Sequence, residues 1–301
     1  MTTLDTLFAG FTAKTIDGGA GGIFARIGGS GPPLLLLHGY PETHAMWHDL
    51  APELAKTHTV VVADLRGYGR SFVPVPSPKG AALSKRDMAN DMVGVMSALG
   101  FAKFDVIGHD RGARVAYRMA LDHPERLSRL MLLDIITSYD IWTTLDIENA
   151  MRMWHWTFLA QPRPFPERWI SSDSKGWVVE RFKRGGSAIP PWLSEVALND
   201  YREMFADPAR LSATCDDYRA GAGIDVEHDA EDLAKGRKIR CPVRLLWGAR
   251  GNLSDQKDPL ALWAKWVSGP LSGKPIDSGH FIPEENPIAL LPEIRMFLAA
   301  K

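Results

Sequence analysis

Four short, almost uninterrupted apolar runs, Leu34–Leu37, Val60–Ala63, Phe104–Ile107 and Leu130–Leu133, are bounded by Gly, Pro or charge and separated by stretches long enough for a helix. A strand reads this way when both of its faces are buried, which happens where helices cover a parallel sheet. Between the second and third runs, Asp87–Leu99 carries Met88, Met92, Val95 and Met96 at helical spacing, follows Ser84 and stops at Gly100, so caps and period agree on a helix. Pro242–Trp247 and Gly273–Ile276 repeat the strand pattern, and Pro287–Ala300 reads as a last helix. Strand alternating with helix predicts an α/β architecture with a mostly parallel, doubly wound sheet.

The alternation breaks between about Ile135 and Lys235, which hold no strand-like run but six of the ten tryptophans: Trp142, Trp154, Trp156, Trp169, Trp177 and Trp192. The proline-rich stretch Gln161–Pro166 and the loop from Gly185 to Pro191 divide this region into helical pieces. It leaves directly after a strand, at the end of the sheet where α/β proteins bind ligands. The expected organisation is therefore a core domain from residues 1–134 and 236–301, with 135–235 inserted as a helical cap.

Composition excludes several alternatives. Lys plus Arg is 35 against Asp plus Glu 36, a formal net charge of -1, so there is no global field to hold nucleic acid or an anionic membrane. The two cysteines, Cys215 and Cys241, form neither a disulfide framework nor a metal-ligand cluster. No stretch approaches the ~18 apolar residues of a membrane span, and Met1–Gly22 lacks the basic and apolar regions of a signal peptide. These features lead to the expectation of a cytoplasmic protein that uses no metal or cofactor.

The segment Val106-Ile107-Gly108-His109-Asp110-Arg111-Gly112-Ala113-Arg114 is a strand turning into a helix, with a glycine on each shoulder of an acidic residue. A nucleophile elbow has this shape, because the tight turn crowds its flanks and aims the central side chain into the site. Read alone it is also an ordinary turn with an Asp cap. Three further features fall where an elbow needs them. His280, in Asp277-Ser278-Gly279-His280-Phe281, follows the final strand and is placed to act as the base. His38-Gly39-Tyr40-Pro41 follows the first buried strand, making the Tyr40 and Arg111 backbone N–H groups candidates for an oxyanion hole. Asp134 ends the Leu130–Leu133 run; Trp247–Asn252 offers no carboxylate at the other usual position, and Asp255 lies further on, so Asp134 is the expected partner of His280. An Asp nucleophile suits displacement at a saturated carbon, since it leaves an ester that water can cleave where serine would leave an ether.

The chain resembles the α/β-hydrolase superfamily from about Gly28 onward, and within it the fluoroacetate (haloacetate) dehalogenases, through Gly108–Arg114, Trp154-His155-Trp156, Asp217-Tyr218-Arg219-Ala220 and Gly279-His280-Phe281. The resemblance implies Asp110 as nucleophile, His280 as base and Asp134 as its partner. It also implies that Arg111 and Arg114 bind the substrate carboxylate, that His155, Trp156 and Tyr218 bind the departing halide, and that the protein is a homodimer acting on a small anionic substrate. Two like charges about 5 Å apart repel by roughly 3 kcal/mol at an effective dielectric of 20, so a carboxylate approaching Asp110 requires such arginines. Arg181-Phe182-Lys183-Arg184 departs from the family, which carries a further cap tryptophan here; Phe182 is expected to take its place and set the pocket volume. The rival activity on this scaffold is epoxide hydrolysis, which needs two cap tyrosines: Tyr218 is one candidate, with Tyr139 and Tyr201 as candidates for the second. A non-catalytic binding protein with a lid has no use for a complete Asp–His–Asp set.

Overall fold

The four apolar runs become the centre of a single sheet. The structure, a computed structural model, describes residues 3–254, 256 and 258–300. Its strands are β1 (Phe11–Asp17), β2 (Gly22–Gly28), β3 (Pro33–Leu37), β4 (Thr59–Ala63), β5 (Phe104–His109), β6 (Leu127–Leu133), β7 (Val243–Gly248) and β8 (Leu271–Ile276). They lie in the order β1-β2-β4-β3-β5-β6-β7-β8. From β4 to β8 every pairing is parallel, whereas β1 and β2 form an antiparallel hairpin whose second strand runs antiparallel to β4. Leu34–Leu37 and Val60–Val62 are completely buried, as strands covered on both faces must be.

The hairpin has no counterpart in the apolar-run pattern, because β1 is an edge strand with most of its residues solvent-exposed. Its Gly-rich turn is closed by the Gly18 amide donating to the Gly21 carbonyl at 3.0 Å. The helix between β4 and β5 spans Lys85–Ala98, with the Ser84 hydroxyl accepting from the Asp87 amide and Gly100 at φ +84° just past its end.

Between β6 and β7 the chain forms eight helices, from Ser138–Thr143 to Ile224–Ala234. Buried polar contacts tie them to the sheet layer. Tyr117 donates to Asp229 at 2.8 Å, Tyr201 donates to Glu284 at 2.9 Å, and Lys85 and Arg111 both pair with Asp217. Among the described residues no helix is long and apolar enough to cross a membrane.

Candidate active site

The residues that converge on the site all follow the carboxyl ends of parallel strands: His38–Tyr40 after β3, Asp110 after β5, Asp134 after β6 and His280 after β8. Asp110 has φ +43°, a left-handed conformation that a non-glycine residue adopts only where its surroundings enforce it. Those surroundings are visible. A Cβ on Gly108 would lie 2.6 Å from the Ala113 Cα, and one on Gly112 would lie 2.4 Å from the His38 carbonyl oxygen. Only glycine permits the helix Asp110–Asp122 to start this close to β3 and β5.

The Tyr40 amide donates to Asp110 Oδ2 at 3.2 Å, while the Arg111 amide makes no hydrogen bond to that carboxylate. His280 Nδ1 donates to Asp134 Oδ2 at 2.6 Å. Asp134 also accepts from the Gly248 amide at 3.2 Å and the Asn252 amide at 2.9 Å, so the end of β7 supplies donors that hold the carboxylate. Asp255 lies outside the described residues. Burial opposes ionisation of Asp110, but the charges of His280, His109, Arg111 and Arg114 outweigh it and hold the carboxyl below the ordinary carboxylate range.

The two arginines differ. Arg111 Nε and Nη2 grip Asp217 at 3.0 and 2.6 Å, Nη2 also donates to the Asp217 carbonyl, and only the buried Nη1 is left without a partner. Its guanidinium lies 4.3 Å from the Tyr218 ring centroid, and it lines neither cavity beside Asp110. Arg114, also buried, donates to the Ile136 carbonyl at 3.0 Å, keeps Nε unpartnered and makes no ion pair among the described residues. Burial, and then the charge of Arg111, pull its pKa down, the condition of a cation lacking a counter-ion. It borders a cavity of about 30 Å³ shared with Asp110, Asp134 and Trp156.

A larger cavity, of about 470 Å³, joins Asp110, His280 and Tyr40 to His155, Trp156 and Tyr218. The side chains of those last three have no hydrogen-bond partner among the described residues, although all three carry a donor. Burial, and then Arg181, push His155 down to about 3, so it is a neutral imidazole with one N–H to give. Phe182 does not line this cavity. It stacks on Tyr201 at 5.6 Å and packs against Phe281 at 4.6 Å, because its face of the helix Ser174–Lys183 turns inward; Arg181 and Arg184 form the wall instead. Tyr139 and Tyr201 line neither cavity, whereas the Tyr40 ring does, its hydroxyl accepting from Trp177 Nε1 at 2.6 Å.

Beneath Asp110 lies a buried network that the motifs only hint at. His109 Nδ1 is 3.0 Å from Glu42 Oε2 and Nε2 is 2.9 Å from the His280 carbonyl oxygen. With an acceptor at each ring nitrogen, the ring donates from both and is an imidazolium. Burial opposes that charge, but Glu42 overrides it and raises His109 to about 9. Glu42 Oε1 and Glu284 Oε2 are buried with no other partner, and burial followed by Glu42 drives the Glu284 carboxyl well above its usual range. Glu42 directly follows Tyr40-Pro41, and His109 adjoins Asp110, but nothing local in the sequence marks Glu284. Asp217 opens the Asp217–Ala220 segment, where the sequence alone gives it no role; the structure makes it the partner of Arg111 and Lys85. Among the described residues no cluster of His, Cys, Asp and Glu is arranged to hold a metal ion.

Residues 32–287 match the family model of the alpha/beta hydrolase fold. The chain is 40% identical over 293 residues to a fluoroacetate dehalogenase of a Burkholderia species, covering 97% of this chain and 95% of that protein. It is 32% identical over 275 residues to a soluble epoxide hydrolase of a Corynebacterium species, covering 90% and 91%. A candidate alpha/beta hydrolase from Nostoc sp PCC 7120 superimposes with a TM-score of 0.94 at 44% identity, covering 98% of this chain and all of the other. With the elbow, the strand order and these full-length likenesses in agreement, the chain belongs to the α/β-hydrolase fold family.

Proposed function

We propose that the protein is a hydrolytic dehalogenase that cleaves the carbon–halogen bond of haloacetates, fluoroacetate and chloroacetate among them, through an ester on Asp110. A carboxylate oxygen of Asp110 attacks the halogen-bearing carbon, the carbon–halogen bond breaks, and halide leaves with the electron pair. His280, oriented by Asp134, then takes a proton from water as its oxygen adds to the ester carbonyl. The Tyr40 amide, already 3.2 Å from Asp110 Oδ2, stabilises the resulting oxyanion, with the Arg111 amide as second donor. On collapse His280 gives its proton to the departing glycolate oxygen, and Asp110, left as the acid, loses one proton to solvent to regenerate its carboxylate.

The observation that carries this reading is the set of unspent donors around Asp110. Arg114 is a buried cation with no counter-ion among the described residues, which suits a substrate carboxylate, and His155, Trp156 and Tyr218 offer N–H and O–H groups to an emerging halide. A neutral epoxide gives Arg114 nothing to pair with. The likeness to a fluoroacetate dehalogenase supports the same substrate class. The helices between β6 and β7 act as the cap, and the protein works as a homodimer in the cytoplasm.

The epoxide reading has its own support in the epoxide hydrolase relative and in Tyr40, whose ring stands 5.1 Å from that of Tyr218 in the cavity. Halide release from fluoro-, chloro- and bromoacetate, measured beside diol formation from styrene oxide, separates the two. Halide without diol is expected; diol without halide reverses the assignment. In a His280→Asn variant the ester should persist, so intact mass should rise by one carboxymethyl group after haloacetate is added, and an unchanged mass would rule out the Asp110 ester.

A further inference from the structure

The cavity extends well past the groups that a haloacetate uses. Its volume of about 470 Å³ falls in the range, roughly 300–1,000 Å³, that receives ligands of drug size, whereas a haloacetate is a two-carbon acid. Beyond the reacting groups, its lining includes Arg181 and Arg184, at the end of the helix Ser174–Lys183, and Arg152 from a neighbouring helix.

Cations in a helix's last turn are ordinary, because its terminal carbonyls attract them. Arg181 has more unusual surroundings. Its guanidinium is held 4.7 Å from the Trp154 ring centroid and 4.6 Å from that of Trp177, whose planes stand nearly perpendicular at 84°. Such a cation is fixed in place rather than swept through solvent. Its Nε is buried without a hydrogen-bond partner, and it makes no ion pair among the described residues. Arg184 ends the helix with φ +48°, and its Nη2 donates to the neutral amide oxygen of Asn252 at 3.0 Å. Glu180, which shares this lining, is already engaged by Lys183 at 2.9 Å. Both arginine charges are felt inside the cavity, since each helps to depress His155.

We infer that this end of the cavity is a second anion subsite, and that the enzyme's substrates include α-halo acids carrying a second carboxylate, which Arg181 and Arg184 receive while the first meets Arg114 in the adjoining small cavity that shares Asp110 and Trp156 with the larger one. The inference rests on the dehalogenase reading. The chemistry is that of the haloacetate reaction: the carbon–halogen bond breaks, water supplies the hydroxyl, and an α-hydroxy diacid, halide and a proton result. The second carboxylate takes no part in bond making and contributes binding and orientation.

Two measurements test it. Halide release is followed for 2-chlorosuccinate, 2-chloroglutarate and 2-chloroadipate against 2-chlorobutanoate, 2-chloropentanoate and 2-chlorohexanoate, whose far ends are neutral. At one or more chain lengths the diacid should exceed its neutral-ended match in kcat/KM by about tenfold, the scale of one partly buried charge pair. Arg181→Gln should erase that ratio, and Arg181→Lys, which keeps the charge, should restore part of it. Calorimetric titration of unmodified protein with glutarate and with butyrate tests the subsite without turnover, with tighter glutarate binding that weakens in Arg181→Gln expected. Diacids that neither react nor bind better than their matches overturn the second subsite, whether or not haloacetates are turned over. Failure of every halo acid to release halide, with glutarate still preferred, leaves the subsite standing and removes the dehalogenase reading instead.

Discussion

Arg111 and Arg114 look equivalent in the sequence, one and four positions after Asp110, yet their surroundings assign them different tasks. Arg111 balances the buried Asp217, which Lys85 also contacts and to which Tyr68 donates at 2.6 Å. Removing one member of a buried charge network strands the others, a loss of about 3–5 kcal/mol. Arg111→Ala should therefore lower the unfolding midpoint by several degrees as well as reduce activity. Arg114 has no such partner, so Arg114→Ala should keep or slightly raise the midpoint while kcat/KM for haloacetate falls by roughly 2–5 kcal/mol of transition-state binding. Equal turnover of haloacetate and neutral haloacetamide by the unmodified protein would contradict that role. His155, Trp156 and Tyr218, proposed above to receive the halide, invite a comparison between substrates. Fluoride concentrates its charge and depends most on hydrogen bonds as it leaves, whereas bromide needs less help. Trp156→Phe, Tyr218→Phe and His155→Leu should each cut fluoroacetate turnover by roughly 10²-fold, the scale of one oxyanion donor, and bromoacetate turnover much less. Equal losses on both substrates would reduce these side chains to packing.

At the scale of elements, what is legible in the sequence is whatever depends on neighbours along the chain. The parallel strands declare themselves because burial on both faces leaves an unbroken apolar run, and the elbow because two glycines must flank the turn. Edge strand β1 shows no such run, since solvent covers most of it, and Phe182 is expected in the pocket only because the resembling family carries a tryptophan there, whereas the fold packs it on Tyr201. Glu284 is hidden for a different reason: it meets Glu42 and Tyr201 only through the fold. That network makes a pH prediction. His109 is raised from 6.5 to about 9, so the folded chain holds a proton that the unfolded chain gives up, worth about 3 kcal/mol at most. Its contribution is complete below pH 6.5 and lost as pH climbs through about 9. Glu284, raised above the carboxylate range, acts in the same direction. The unfolding midpoint should fall between pH 6.5 and 9, and Glu42→Gln, which removes the counter-charge, should flatten that fall. A midpoint indifferent to pH across this window would mean that the imidazolium is not there.

For the whole molecule, the decisive feature is how the inserted helices meet the sheet layer. A lid that swings freely needs a seam that is weak and wet, but this one is crossed by buried charge. Asp217 joins Arg111 and Lys85, and Asp229 and Asp232 receive Arg118; all six are at most 2% exposed. Opening the seam would separate all these ion pairs and their hydrogen bonds at once, which couples the inserted helices to the sheet layer. The two parts are therefore expected to unfold together. Calorimetry should give a single transition whose calorimetric and van't Hoff enthalpies agree. Asp217→Asn, which keeps the shape but removes the charge, should lower that transition without splitting it, because Arg111 and Lys85 lose their common partner. Two resolved transitions, or a melting of the inserted helices that leaves the sheet intact, would mean that the seam is looser than its charges imply. With the seam closed, an anionic substrate enters a cavity whose lining includes the cations Arg181 and Arg184. Added salt should then lower kcat/KM for haloacetate more than kcat, since screening acts on the approach of the anion and leaves the enclosed chemistry alone.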